Sequence, residues 1–434
     1  GGTSVGKATR MKQIIDLILK DNEPKIVVLS ALSGTTNTLV SMCESLKTKN
    51  YKIYDVLLKD LEIHYHNFIY ELFSTTNLIN DVLNFINEKF DFLKLIQKIN
   101  YNTSLGKEIL AQGEIMSSHI FSFLLQSKDL EHQMFNALEF MQIDRNGEPN
   151  YPFIKENLDK ILSQFPHSKL FITQGFICLN DRLEIDNLQR GGSDYTASLL
   201  AAVTHASVCE IWTDIDGMHN NDPRIVNKTF PIEYLCFEEA AELAYFGAKI
   251  LHPTCILPAQ QNGIPVKLLN TMQPNAVGTT IGKEPKGVGL KAVAAKDGII
   301  ALKIKSSRML LAYGFMAKVF GIFEKFKIPV DMISTSEVTV GITIDNETFL
   351  HELVEELETI STVEIIKDLT IIACVGYKIG SQTNIFNELN NTLNNIKPIM
   401  ICYGGSEHNI SYIISKEDKT LLLSNINKQV FKIN

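Results

Sequence analysis

Ile26-Val27-Val28-Leu29-Ser30-Ala31-Leu32-Ser33-Gly34 is the stretch whose reading decides the fold class. Its apolar start, rich in β-branched residues, reads as a buried strand. The small residues that follow open the strand onto a loop and a helix. Lys169-Leu170-Phe171-Ile172-Thr173 and Val208-Cys209-Glu210-Ile211-Trp212-Thr213 read as further strands. Between them, residues 193–202 read as a helix with an Ala/Leu-rich body. Strands that alternate with helices predict an α/β layer around a mostly parallel central sheet. Residues 55–100 carry apolar positions at helical spacing and no evident chemistry.

Five glycines, at 278, 282, 287, 289 and 298, punctuate the chain and place a domain boundary near 285. Beyond it, strands are predicted at 299–304, 330–333 and 338–344, with helices at 311–326 and 349–357. The series then recurs, with strands at 369–375, 399–402 and 411–415 and helices at 384–393 and 419–426. The period is about 70 residues, and each unit approaches the split βαβ arrangement. The reading therefore divides the chain into 1–285, 286–366 and 367–434. A tandem pair of such units suggests small-molecule sensing.

Length supports this division, since 434 residues imply roughly three domains. The formal charge of −8 offers no basic surface for nucleic acid. The 7 cysteines are widely spaced and never form C-x-x-C, so no zinc or redox site is expected. Such thiols fit a reducing compartment, and a cytoplasmic location is expected. No run of 18 apolar residues appears, so no membrane span is expected, and no signal peptide is visible. Neither G-x-S-x-G nor H-E-x-x-H occurs.

Four motifs carry candidate chemistry. Gly1-Gly2-Thr3-Ser4-Val5-Gly6-Lys7-Ala8 begins like a P-loop, but Ala8 stands where a Mg²⁺-ligating hydroxyl is required. It reads either as a glycine turn cradling phosphate oxygens or as a plain tight turn. Arg190-Gly191-Gly192-Ser193-Asp194 combines close backbone approach, a guanidinium fork and good helix-capping residues. A charged, capped turn is the plainer alternative. Thr213-Asp214-Ile215-Asp216-Gly217 leaves a strand where α/β sheets bind ligands, and Asp222-Pro223-Arg224 follows. A polar surface loop is the competing reading there. Lys249, in Gly247-Ala248-Lys249-Ile250, could clamp phosphate or stand solvated, and His252 before Pro253 reads as structural. Together, two glycine turns, a carboxylate loop and several cations suit phosphoryl transfer, which needs positioning and charge stabilisation.

With these motifs in place, the chain resembles the aspartate kinase (aspartokinase) family essentially end to end. The resemblance rests on Gly1-Gly2-Thr3-Ser4-Val5, the segments 28–31 and 34–37, Gly113-Glu114, residues 190–197, 212–217 with Asp222-Pro223-Arg224, 246–253, and Ile333-Ser334-Thr335-Ser336-Glu337-Val338. It implies a three-layer amino acid kinase fold followed by two ferredoxin-like ACT domains. It implies transfer of the ATP γ-phosphoryl to the β-carboxylate of L-aspartate, the first step towards lysine, threonine and methionine. ATP with Mg²⁺ would be the cofactor.

By resemblance, Arg190 would grip the aspartate α-carboxylate and Glu114 its ammonium. Thr36, Gly191, Gly192 and Ser193 would help hold the substrate. Asp194 and Lys249 would act at the reacting centre. Gly1, Gly2, Thr3, Ser4, Thr213, Asp214, His219, Arg224, Lys249 and Ile250 would bind the nucleotide. Met309, Tyr313, Gly314, Phe315, Asp331 and Ser336 would line an effector site for lysine rather than threonine, with a homodimer formed through the ACT domains or a tetramer. The family carries Lys-Phe ahead of the first glycine turn, a position that precedes Gly1. Gln189 replaces a common glycine, and His219-Asn220-Asn221 replaces Tyr-Thr-Thr. A related amino acid kinase with another substrate, or a non-catalytic amino-acid sensor, remain the competing functions.

Overall fold

The structure, a computed structural model, describes residues 1–188, 191–247, 252–306 and 313–433. They form two compact units. One joins residues 1–217 with 252–283, and the other joins 218–251 with 284–434.

In the first unit, α1 (Ala8–Ile18) precedes β1 (Lys25–Leu29), and α2 (Thr35–Lys47) follows it. The long amphipathic pattern becomes α3 (Tyr51–Leu72) and α4 (Thr76–Ile96), before α5 (Thr103–Gln126). Asn50 and Asn102 cap α3 and α5 by accepting from the Ile53 and Leu105 amides. The remaining elements are β2 (Gln133–Met134), α6 (Tyr151–Gln164), β3 (Leu170–Gln174), β4 (Ile177–Leu179), β5 (Ile185–Asn187), α7 (Gly192–Thr204), β6 (Cys209–Thr213), β7 (Val266–Asn270) and β8 (Thr279–Gly282).

Strands β1, β3 and β2 pair in parallel in that order, from Lys25↔Leu170 to Leu29↔Gln174. β6 and β7 also run parallel, while β8 returns antiparallel to β7. Strand alternation distributes β3 between two cores. Leu170 and Ile172 join the cluster built on α1 to α5, whereas Phe171 joins the one that includes α6 and α7. Helices thus cover both faces of a parallel sheet, giving three layers.

The second unit begins with a loop and α8 (Phe237–Tyr245), then β9 (Gly289–Lys305). It continues through α9 (Phe315–Lys325), β10 (Met332–Thr335), β11 (Thr339–Ile344), α10 (Leu350–Glu358), β12 (Thr362–Tyr377), α11 (Thr383–Leu393), β13 (Met400–Cys402), β14 (Asn409–Ser415) and α12 (Lys419–Gln429). One antiparallel sheet runs β10-β11-β9-β12-β14-β13.

The two long strands serve two modules. Residues 299–305 and 362–366 pair with each other and share a core with α9, α10 and β11. Residues 289–297 pair with 369–377 and share a core with α11, α12 and β14. The register shifts at Asp297/Ile299, where Gly298 (φ 78°) and Asp368 (φ 56°) are left-handed.

The sequential division at 366/367 is therefore corrected by the pairing. The first strand of the second module lies upstream of the first module, which is inserted within it. The chain passes from the first unit to the second between Lys283 and Glu284, and 218–251 belong to the second unit as well. Buried Asn220 and Asn221 donate to Asn427 Oδ1 (3.3 Å) and the Leu423 carbonyl (3.1 Å), and Val293 N–H donates to the Asn220 carbonyl (2.8 Å). Helix α8 packs on β12, which leaves both faces of its second half buried and explains that continuous apolar run.

Gly376→Ala tests this pairing, since a Cβ there would lie 1.9 Å from the Gly289 carbonyl oxygen. Hydrogen exchange should accelerate in 289–297 and 369–377 together. Unchanged exchange in 289–297 would contradict the inserted-module topology.

Candidate functional site

The ends of β1 and β3 and the starts of α2 and α7 surround a cavity of about 470 Å³. Gly1, Gly2, Thr3, Thr36, Glu114, Gly191, Gly192, Ser193 and Asp194 line it, so these expected residues come together. Ser33, Asn37 and Phe176 also line it and were not singled out in the sequence.

The cavity is built by close backbone approach. Gly175 N–H donates to the Leu29 carbonyl at 2.9 Å, tying the turn after β3 to the end of β1. A Cβ on Gly175 would meet Ser193 atoms at 2.5–2.6 Å, and one on Gly192 would meet Phe176 Cδ2 at 2.5 Å. The turn and the start of α7 therefore interlock only because both residues lack side chains. Thr196, fully buried, accepts from Phe176 N–H (3.1 Å) and donates to the Gly192 carbonyl (2.8 Å). Gly191, left-handed at φ 75°, starts α7. Gly34, at φ 86°, starts α2 in the same way. Two helix N-termini thus face one cavity, and their free N–H groups and dipoles favour anions.

Helix α5 supplies the opposite charge preference. Glu114 is 4% exposed, and its Oε1 accepts from Ala31 N–H at 3.2 Å. Its Oε2 is buried with no hydrogen-bond partner among the described residues. Burial pushes this carboxyl up to about 7, against the opposing pull of the Ala31 amide and its own backbone. Ser117 Oγ donates to the Ser30 carbonyl (2.7 Å), and Gly113 allows α5 to press on Ala31 and Thr35. Beneath this loop, Thr35 Oγ1 meets the Tyr65 hydroxyl at 3.1 Å, so the helical excursion of 51–96 supports the cavity wall.

The first glycine turn lies opposite. Residues Gly2–Val5 form one helical turn, and Gly1 N donates to the Trp212 carbonyl at 2.8 Å. Ser4 is buried and bonds Thr271 Oγ1 at 2.7 Å, so it anchors the turn rather than lining the cavity. Lys7 is exposed and outside the lining, against a P-loop role. Asp194 is raised by burial. Thr213 Oγ1 donates to Asp214 Oδ1 at 3.1 Å.

His219 and Arg224 stand in the second unit. His219 Nδ1 bonds Thr229 Oγ1 at 2.7 Å, and Arg224 forks onto Asp222 at 2.7 and 2.9 Å. There too, Tyr313 is fully exposed, Gly314 starts α9 at φ 83°, and Phe315 packs into the module core. Ser336 closes the turn to Thr339, and Asp331 is 2% exposed at its side chain. Arg190, Lys249, Ile250 and Met309 lie outside the described residues. Among the described residues, no three His, Cys, Asp or Glu side chains converge as a metal site. No described helix is long and apolar enough to cross a membrane.

Anion-seeking helix starts, glycine turns and one buried carboxylate at the strand ends of a three-layer α/β unit define a small-molecule kinase. Residues 1–270 match the model of the amino acid kinase family. Lysine-sensitive aspartokinase 3 of Escherichia coli is 34% identical, over 100% of this chain and 98% of its own length. Chloroplastic aspartokinase 1 of Arabidopsis thaliana is 33% identical, over 100% and 79%. The crystal structure of E. coli aspartokinase III with aspartate and ADP (R-state) matches with TM-score 0.87 and 32% identity, covering 99% of this chain and 98% of that one. The same protein with lysine and aspartate (T-state) matches with TM-score 0.80, 32% identity and the same coverage. The chain belongs to the amino acid kinase family and, within it, to the aspartokinases.

Gly175→Ala tests the interlock. A methyl group there must displace Ser193, so turnover should fall by about tenfold or more with the far-UV spectrum retained. Normal turnover would contradict the positioning of α7 by this turn.

Proposed function

We propose that this cavity holds L-aspartate against MgATP and transfers the γ-phosphoryl to the β-carboxylate, giving 4-phospho-L-aspartate and ADP. The observation that carries this reading is the buried Glu114 Oε2, which has no hydrogen-bond partner among the described residues, in a cavity onto which two helix starts also open. An amino acid with one ammonium and two carboxylates matches that charge pattern. The crystal structure of E. coli aspartokinase III contains aspartate and ADP, which supports the same assignment.

Glu114 would take the α-ammonium, and Arg190 the α-carboxylate. Thr36 and the Gly191-Gly192-Ser193 start of α7 would hold the remaining polar atoms. The Gly1–Ser4 turn would lie against the transferred phosphoryl, with Thr213, Asp214, His219, Arg224, Lys249 and Ile250 on the nucleotide. A carboxylate is already a nucleophile, so no strong base is needed. The barrier is repulsion between anions, which helix dipoles and cationic side chains lower. Asp194 and Asp214 suit a divalent cation carried in with the nucleotide, and Mg²⁺ would supply charge neutralisation there.

Met309, Tyr313, Gly314, Phe315, Asp331 and Ser336 would form the effector site, with lysine as the effector. Supporting this are the lysine-sensitive relative and the buried carboxylate of Asp331. Exposed Ile333 and Ile401 on the outer strands β10 and β13 suit a homodimer through the regulatory modules. The mostly buried cysteines suit the cytoplasm.

The test is aspartate-dependent ADP release, with hydroxylamine trapping the acyl phosphate. Glu114→Gln should raise KM for aspartate by about 10- to 100-fold with kcat little changed. No aspartate-dependent turnover alongside clear lysine binding would favour a non-catalytic sensor instead.

Glu114 also dictates a pH dependence. Its carboxyl is neutral below about 7, and an ammonium binds only the ionised form. Aspartate affinity should therefore fall by about tenfold per pH unit below that value and level off above it. Glu114→Gln should flatten this profile. An equally steep profile in that variant would place the titrating group elsewhere.

A further inference from the structure

The effector carboxylate is already engaged by the protein's own ammonium. Asp331 lies just before β10, and Asp345 just after β11. Lys296 on β9 reaches both, at 2.7 Å from Asp331 Oδ1 and 2.9 Å from Asp345 Oδ2. The Tyr245 hydroxyl, on the last residue of α8, donates to the same Asp331 Oδ1 at 2.9 Å. Lys296 Nζ also sits 4.9 Å from the centre of the Tyr245 ring. Asp331 Oδ2 is buried and has no hydrogen-bond partner among the described residues.

The contact lies at one end of a row of ties along α8. One turn apart, Glu239 accepts from Lys291 on β9 (2.7 Å), Glu242 accepts from Ser406 and Asn409 (2.8 and 2.9 Å), and Tyr245 holds Asp331. Just beyond α8, Gly247 is left-handed at φ 127°, and a Cβ on it would lie 2.4 Å from the Ala295 carbonyl oxygen, next to Lys296. The chain then runs directly into Lys249 and Ile250. Glu239 and Glu242 bind residues that belong to the second module. Tyr245 alone in this row reaches a residue of the first module, and it is the tie nearest the nucleotide stretch.

We propose that Lys296 and Tyr245 form an internal latch on Asp331, and that an effector amino acid competes with it through its ammonium. This rests on the reading of Asp331 as an effector ligand. Latched, Asp331 holds the C-terminal end of α8, up to Gly247, against β9. An effector ammonium satisfies Asp331 in place of Lys296 and the tyrosine hydroxyl. The end of α8 is released, and nucleotide affinity falls. The effector must displace a tethered ammonium, which acts at high effective concentration and weakens its apparent affinity.

The experiment uses the full chain, with binding of L-lysine and L-threonine measured calorimetrically beside KM for ATP and kcat. Lys296→Met should tighten effector binding by about tenfold, as loss of one charge-assisted competitor implies. Tyr245→Phe keeps the ring and removes only the hydroxyl. It should raise KM for ATP without effector, leave kcat little changed, and blunt any further rise when effector is added. If Lys296→Met fails to fold, Tyr245→Phe decides alone. Unchanged effector affinity in Lys296→Met, or a wild-type KM for ATP and a full effector response in Tyr245→Phe, would overturn the latch. Asp331→Asn separates the two ideas. Lost binding in that variant with an unresponsive latch pair retains the effector reading and rejects the latch. Unchanged binding there, or no binding of either amino acid by the wild type, rejects both.

Discussion

The burial of one carboxylate is the constraint on which the catalytic unit turns. Glu114 sits in the middle of α5, pressed by Gly113 and Ser117 against the loop that leaves β1. One oxygen accepts from Ala31 N–H, and the other has no hydrogen-bond partner among the described residues, a costly arrangement in a protein interior. A binding site explains why such a group is kept, because a substrate ammonium would satisfy it. Elsewhere in the cavity wall the starts of α2 and α7 are aimed inward, with the Asp194 carboxylate in the first turn of α7.

The regulatory unit solves a different problem. Two modules share β9 and β12, and each strand changes module at a left-handed residue, Gly298 or Asp368. Covalent continuity through two strands makes the modules mechanically dependent. The loop of 218–231 is anchored by buried asparagines to α12, and α8 is held by three successive polar ties. Residues 237–245 are therefore fastened along the six-stranded sheet.

Much of this was legible in the sequence, for physical reasons. Parallel strands under helices are apolar runs, so 26–29, 170–174 and 209–213 declared themselves, although only 170–174 is buried throughout, as did the glycine turns and the repeated β-α pattern. The 289–297 strand did not. Glycines bracket it, lysines interrupt it, and its partner lies about 80 residues further along the chain. The half-exposed start of β12 at 362–366 was missed because only one face of it is apolar. Asn220 and Asn221 read as part of a nucleotide loop, because a buried amide looks identical to an exposed one until its distant partner is known. Phe176 and Tyr65 carry no local signal, since their roles come from what packs against them. Of the site residues expected, Gly1 to Thr3, Thr36, Glu114 and 191–194 share the cavity, whereas Ser4 serves beneath it.

The most direct test of the central claim is a crystal structure of the protein with aspartate and ADP. The aspartate ammonium should lie within about 3 Å of a Glu114 oxygen, with the substrate carboxylates towards the starts of α2 and α7. Aspartate bound with a carboxylate towards Glu114, or bound outside this cavity, would contradict it.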